Sequence, residues 1–261
     1  MQMTRTVLLA TAATMLMAVP AMAHGYVGAV YDGTTLDDGT GSDSSSTWQG
    51  EGAFGYSGGN WGLQIDGGVG SSNDADLDFW TLAGHVYWTG EGWRLGGVVA
   101  SSSLEFGGVA EIDEIAYGIE GTLDLGPNTV GVASATIGTL DVPIVLGEHD
   151  LWNVDVGINH YIGSNVRVGG KLGIGNADGV AISGNSFSAG LGAEWQPWTA
   201  PVSLTVAYSH FATESAFGDV DSDTFSLGLR WSFGGGTLRD RDNATPFDTQ
   251  TGVYQRLFDL R

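Results

Sequence analysis

TFSLGLRWSF, residues 224–233, alternates without a break. Phe225, Leu227, Leu229, Trp231 and Phe233 fall on one side of an extended chain, and Thr224, Ser226, Gly228, Arg230 and Ser232 on the other. Successive side chains of a strand point to opposite faces, so this stretch is expected to be a β-strand with one apolar and one polar face. WGLQIDGGV (61–69), LWNVDVGINHY (151–161) and SFSAGLGAEW (186–195) read the same way. So do Thr47–Tyr56, Phe79–Trp88, Trp93–Ser101, Glu114–Leu123, Val166–Gly175 and Val202–Phe211, with Gly25–Tyr31 and Thr129–Gly138 as weaker examples. The total is about twelve strands, each long enough to cross a bilayer when tilted.

The connections suggest how the strands are arranged. Short links rich in Gly, Asn and Pro occur at Ser57–Asn60, Thr89–Gly92, Asp124–Asn128, Ile162–Asn165 and Gln196–Pro201, as tight hairpins require. Between them lie longer links at Asp32–Ser46, Gly70–Asp78, Ser102–Asp113, Thr139–Asp150, Asn176–Asn185 and Ala212–Asp223. A transmembrane antiparallel up-and-down β-barrel alternates tight turns at one rim with longer loops at the other. A soluble sandwich has no such two-sided rule.

The chain has 261 residues, no cysteine, 43 glycines and a formal net charge of −21. A mean hydropathy of +0.04 alongside 30 acidic residues means that apolar and acidic groups are segregated. Such acidity argues against a nucleic-acid partner, whose phosphates need cations. The first 23 residues hold Arg5, an apolar run from Val7 to Val19, and Ala21-Met22-Ala23, the layout of an export signal peptide. The mature chain is expected to start at His24, with the barrel over 24–233 and a periplasmic tail over 234–261. No later apolar run reaches the ~18 residues a membrane helix needs.

Parity places ten charged residues on the polar face: Glu51, Asp66, Arg94, Glu114, Glu120, Asp155, Arg167, Lys171, Glu194 and Arg230. No charge falls on the apolar face of any strand as delimited above, where lipid would penalise Arg or Lys by about 2–4 kcal/mol at mid-membrane. Most acids lie in the long links: Asp32, Asp37, Asp38 and Asp43; Asp74, Asp76 and Asp78; Asp219, Asp221 and Asp223. Aromatic rings cluster at both strand ends. Tyr56, Trp61, Trp88, Trp93, Trp195, Trp231 and Phe233 stand near the short turns, and Trp48, Trp80 and Trp152 near the long ones. Such rings favour a membrane–water boundary, where the ring body is apolar and the N–H or O–H stays wet, so two girdles imply a slab between them.

Together these features resemble the outer-membrane β-barrel proteins of Gram-negative bacteria, with a porin-like look. The residues that carry the resemblance are the leader ending AMA, the alternating strands and LGLRWSF (227–233). It implies insertion among outer-membrane lipids, recognition by the barrel assembly machinery, and passive diffusion of small hydrophilic solutes or cations. In that family the last strand usually ends the chain in an aromatic residue. Here Gly234-Gly235-Gly236 and a tail to Arg261 follow Phe233, which departs from the pattern. The alternative reading is a closed barrel acting through its acidic loops.

Twelve strands about 4.8 Å apart and tilted by about 40° give a backbone diameter near 24 Å and a lumen of roughly 10 Å. Arg94 is expected to meet Glu120, Arg167 to meet Glu194, and Asp155 to meet Lys171, as structural pairs or as a charged constriction. Arg230 has no obvious acidic neighbour and is expected to be a free cation. The tail is expected to be an extension or a partial plug. No cofactor, metal or catalytic residue is expected. DSD at 221–223 lacks the spacing of a calcium loop, and Ser209 and His210 point to opposite faces. HGYV at 24–27 resembles the start of copper-dependent polysaccharide monooxygenases, with His85, His149, His160 or His210 as the second ligand, but only those four residues match.

Overall fold

The computed structural model describes residues 23–72, 76–107, 110–142, 147–178, 184–198, 200–215 and 218–248. The expected signal peptide lies outside the described residues, apart from Ala23. Twelve strands follow in order: β1 (Ala23–Asp37), β2 (Ser42–Gly58), β3 (Trp61–Ser72), β4 (Leu77–Gly90), β5 (Trp93–Phe106), β6 (Ala110–Gly126), β7 (Thr129–Val142), β8 (Gly147–Ile162), β9 (Val166–Asp178), β10 (Gly184–Trp195), β11 (Val202–Ser215) and β12 (Gly218–Phe233). Each pairs antiparallel with its sequence neighbours, and β12 pairs with β1 to close the ring. The closure runs from Gly25 opposite Phe233 to Asp37 opposite Asp221. Every strand expected from the alternation lies inside one of these twelve.

Burial inverts the rule of a soluble protein. Trp88 is 62% exposed, Leu191 68% and Ile119 63%, whereas Asp66 is 2% exposed and Glu194 1%. The apolar face looks out and the polar face looks in. Leu63, Ile65, Leu95, Val99, Leu172, Leu204 and Leu229 belong to this outward belt. Exposed apolar surface on this scale needs lipid to cover it, because water would charge about 25 cal/mol for each Å².

Two expectations need correction. The long links shrink to a few residues each, because the strands continue into them: β1 runs to Asp37 and β2 resumes at Ser42. Hydrogen bonding between backbones does not require an apolar outer face, so the ladder extends past the point where alternation fades. The link that remains longest at the short-turn rim is 196–201, so link length alone does not separate the two rims. Lengthening the strands also puts charge on the outer face. Asp223 of β12 shares that face with Phe225 and Trp231, and it accepts hydrogen bonds from Tyr208 (2.5 Å) and from His210 Nδ1 (3.1 Å). These residues stand towards the long-link rim, where outward Phe187 lies 6.5 Å from the His210 ring.

The inward face is not polar throughout. Towards the long-link rim it carries Leu77, Phe79 and Leu104 in one buried cluster, and Leu140, Leu151, Ala177 and Phe211 in another. Ile112 packs against both. An apolar layer therefore lies across the barrel interior at that end, with the charged residues below it.

After Phe233 the chain turns back on itself. Gly234, Gly235 and Gly236 all have positive φ (93°, 76° and 90°), a run that only glycine adopts without strain. A short helix, α1 (Leu238–Ala244), follows. Thr237 caps it in a reciprocal box with Asp240, and Leu238, Arg241 and Ala244 form its buried face. Seven residues are too few to hold a helix in isolation, so docking must stabilise it. It lies at the short-turn mouth. The Arg239 N–H donates to Ser164 O, Arg239 reaches Asn128 Oδ1, and Arg94 reaches Asn243 Oδ1.

Candidate functional site

All ten charged residues expected on the polar face point into the barrel. Most are buried there, and Lys171 keeps 37% of its side chain exposed. Their partners differ from expectation. Of the three expected pairs, Arg167 with Glu194 forms, at 3.1 Å. Arg94 instead reaches Thr122 (3.4 Å) and Asn243 (3.2 Å). Glu120 instead meets His85 at 2.6 Å. Lys171 Nζ lies 4.0 Å from Asp248 of the tail.

Arg230 is the clearest correction, because it is not free. Its Nε and Nη2 donate to the two oxygens of Glu51 at 2.6 and 3.0 Å, and Nη1 donates to Glu194 at 2.9 Å. Glu51 is on β2 and Arg230 on β12, two strands apart across the closure. Gly28 of β1 stands opposite both. A Cβ there would lie 2.9 Å from Glu51 Oε1 and 3.0 Å from Arg230 Cγ. The missing side chain lets the two charges meet over the top of the strand between them. Tyr26 lies beneath, with the Arg230 guanidinium 4.4 Å from its ring centre.

Glu194 is the hub. It accepts from Arg167, Arg230 and Arg241, and also from the Ser203 hydroxyl at 2.5 Å. A carboxylate can take several donors, and a buried one needs them to offset its lost hydration. Arg241 comes from α1, so the hub joins the wall to the tail.

A second buried cluster sits on the opposite side. His85 lies between Asp66 (2.8 Å) and Glu120 (2.6 Å), with all three side chains essentially sealed from solvent. Phe247 of the tail stacks flat on His85 at 5.7 Å and edge-on to Tyr87 at 5.3 Å. Gln64 donates from Nε2 to Asp66 (2.6 Å) and to Phe247 O (2.8 Å), and its Oε1 accepts from the Phe247 N–H at 3.2 Å. Residues 245–248 thus run up into the lumen from α1. Parity on β4 puts His85 and Tyr87 on the inward face, but nothing in the sequence indicates that Phe247 reaches them. Tyr161, which flanks a short turn, also faces inward and donates to Asp242 at 2.9 Å.

The ten girdle rings named from sequence all lie on the outward face, and Tyr56 packs against Trp61 at 5.9 Å. The histidines are dispersed. His24 is inward at one rim, His149 is buried at the other, and His160 and His210 face out. Between the charged hub and the apolar layer a cavity of about 260 Å³ remains, bordered by Glu51, Asp155, Lys171, Ser188, Ser209 and Ser226.

No protein-family model and no curated protein matches this sequence. Solved structures do match in fold. The chain is similar to the translocator domain of the autotransporter NalP from Neisseria meningitidis, at 13% identity and a TM-score of 0.53, covering 87% of this chain and 94% of that one. It is also similar to the β domain of the Bordetella autotransporter Brka, at 14% identity and 0.52, covering 80% and 99%. An outer membrane channel from Pseudomonas putida F1 aligns at 10% identity and 0.56, covering 83% and 97%. At these identities the likeness is one of architecture. This is a closed twelve-stranded barrel of the outer-membrane type, with its apolar side turned outward.

Proposed function

We propose that the protein is a channel for passive diffusion of small hydrophilic solutes across the outer membrane, held shut at its short-turn mouth by residues 237–248. The observation that carries this reading is the interior: charges of both signs and hydroxyl groups, with Val30, Phe211 and Phe247 among them, border a cavity of about 260 Å³, while the belt of large exposed apolar side chains faces outward. A wall of hydroxyls and paired charges can take over the hydration of a polar solute, as channel linings do. The closure is attached through three glycines and held by side-chain contacts, polar and apolar, rather than by strand pairing, so it can be released without unfolding the barrel. The short-turn rim is then periplasmic and the acidic rim external, where its charge favours cations at the entrance.

A second reading is favoured by the apolar layer near the other rim, where Leu77, Phe79, Leu104, Leu140 and Phe211 meet inside. It is a permanently closed barrel that acts through its surface. Planar-bilayer recordings decide between the two readings. The full chain and a chain ending at Phe233 are compared after folding is verified by heat-shifted gel mobility. Steady ion current, larger in the shortened chain, supports the channel. Silence from both, with both folded, supports the closed barrel.

A further inference from the structure

Two consecutive residues of the docked segment, Arg241 and Asp242, carry opposite charges and pair with each other through Asp242 Oδ1 at 2.7 and 3.0 Å, and the barrel wall adds partners of its own to each. The Arg241 guanidinium donates to both oxygens of Glu194, at 2.5 and 2.9 Å, and stands 5.0 Å from the centre of the Tyr26 ring. Asp242 Oδ2 accepts from Arg167 at 3.0 Å and from the Tyr161 hydroxyl at 2.9 Å. The Arg241 and Glu194 side chains are only 2% and 1% exposed. We propose that these wall residues form a binding subsite for zwitterionic solutes that bear a guanidinium and a carboxylate, with the chemistry of free L-arginine. Arg241 and Asp242 occupy that subsite as a built-in stand-in.

Three observations support this. The first is shape. A carboxylate that receives two parallel N–H donors beside an aromatic face suits a planar guanidinium better than a compact ammonium. The second is charge balance. Without the tail, Glu51 and Glu194 on the wall remain matched by Arg167 and Arg230. A net-neutral pair of charges can therefore leave and be replaced by another, whereas a lone ion would leave an uncompensated charge in a poorly hydrated place. The third is access. The cavity of about 260 Å³ borders Tyr26, Arg167, Glu194 and Arg241, so an incoming solute can lie beside the segment it displaces. The proposal rests on the channel reading for its biological purpose, though not for binding itself.

The test uses the full-length chain carrying Arg241→Gln and Asp242→Asn, folded in detergent and titrated calorimetrically with L-arginine, L-citrulline and agmatine. L-citrulline replaces the guanidinium with a neutral urea, and agmatine lacks the carboxylate. Saturable binding of L-arginine, at least about tenfold tighter than either analogue, is the expected result. Equal affinities, or no binding by a folded barrel, overturn the subsite. Should the variant fail to fold, the wild-type chain gives a second measurement. L-arginine is expected to accelerate tryptic cleavage after Arg239 and Arg241 about threefold by competing with the stand-in, and L-citrulline is not. No acceleration overturns the proposal. Binding by a barrel that is electrically silent keeps the subsite and sinks the channel. Ion current without discrimination among the three solutes keeps the channel and sinks the subsite.

Discussion

One absent side chain decides what Arg230 does. With only hydrogen at Gly28, the guanidinium reaches Glu51 over β1. Gly28→Val is expected to force the pair apart and lower stability by about 1–3 kcal/mol, as overpacking typically does, read as a lower urea midpoint in micelles. Arg230→Met removes the cation and leaves two buried carboxylates short of a partner. It is expected to cost about 3–5 kcal/mol in the same measurement. At this scale the sequence was only partly legible. Parity put ten charged residues on the side of their strands that looks inward, because period two is a local property, but it left Asp32, buried on β1, in a loop. Partner choice failed for Arg94, Glu120, Lys171 and Arg230, because it depends on which neighbours are glycine and on a tail that arrives from elsewhere in the chain. Reading one strand further across a glycine would have found Glu51.

At the scale of elements, α1 is the piece that alternation could not reveal. Its signal was Thr237 followed three residues later by Asp240, a capping box preceded by three glycines. Thr237→Ala is expected to weaken the helix by about 1 kcal/mol and to speed tryptic cleavage within 238–244. The Asp240 carboxyl is held below its ordinary pKa of 3.8, first by the backbone N–H of Thr237 and then by its hydroxyl. A depressed carboxylate stabilises the fold above its unfolded value and loses that contribution as pH falls through the lower folded value. Tryptic sensitivity of α1, measured after brief acid exposure and trapping at neutral pH, should therefore rise below about pH 4. Asp240→Asn, which cannot ionise, should flatten this group's share of the rise. The strands themselves were legible where lipid demands apolar residues. Their polar extensions towards the far rim were not, since hydrogen-bonded backbone there imposes no pattern on the outward side chains.

At the scale of the whole molecule the inverted burial pattern makes the strongest claim, and it can be checked optically. Trp88, Trp93, Trp195 and Trp231 all face outward. Their emission should be strongly quenched by brominated lipids and weakly by iodide, and a water-soluble barrel would give the reverse. The architecture was legible because one physical demand, a hydrophobic exterior, repeats on every strand. The blocked interior was not, because filling a lumen calls for particular contacts rather than a repeating pattern. The closure between β1 and β12 has a further implication. Glu51 and Arg230 are 179 positions apart, and Thr34 bonds Thr224 at 2.9 Å across the same join. Neither link can form until nearly the entire polypeptide has been threaded and the two outermost staves abut. The ionic clasp therefore marks completion of assembly. A cask built this way should come apart slowly even where its equilibrium margin is modest, because the first breach must tear two opposite charges from each other in a dry place.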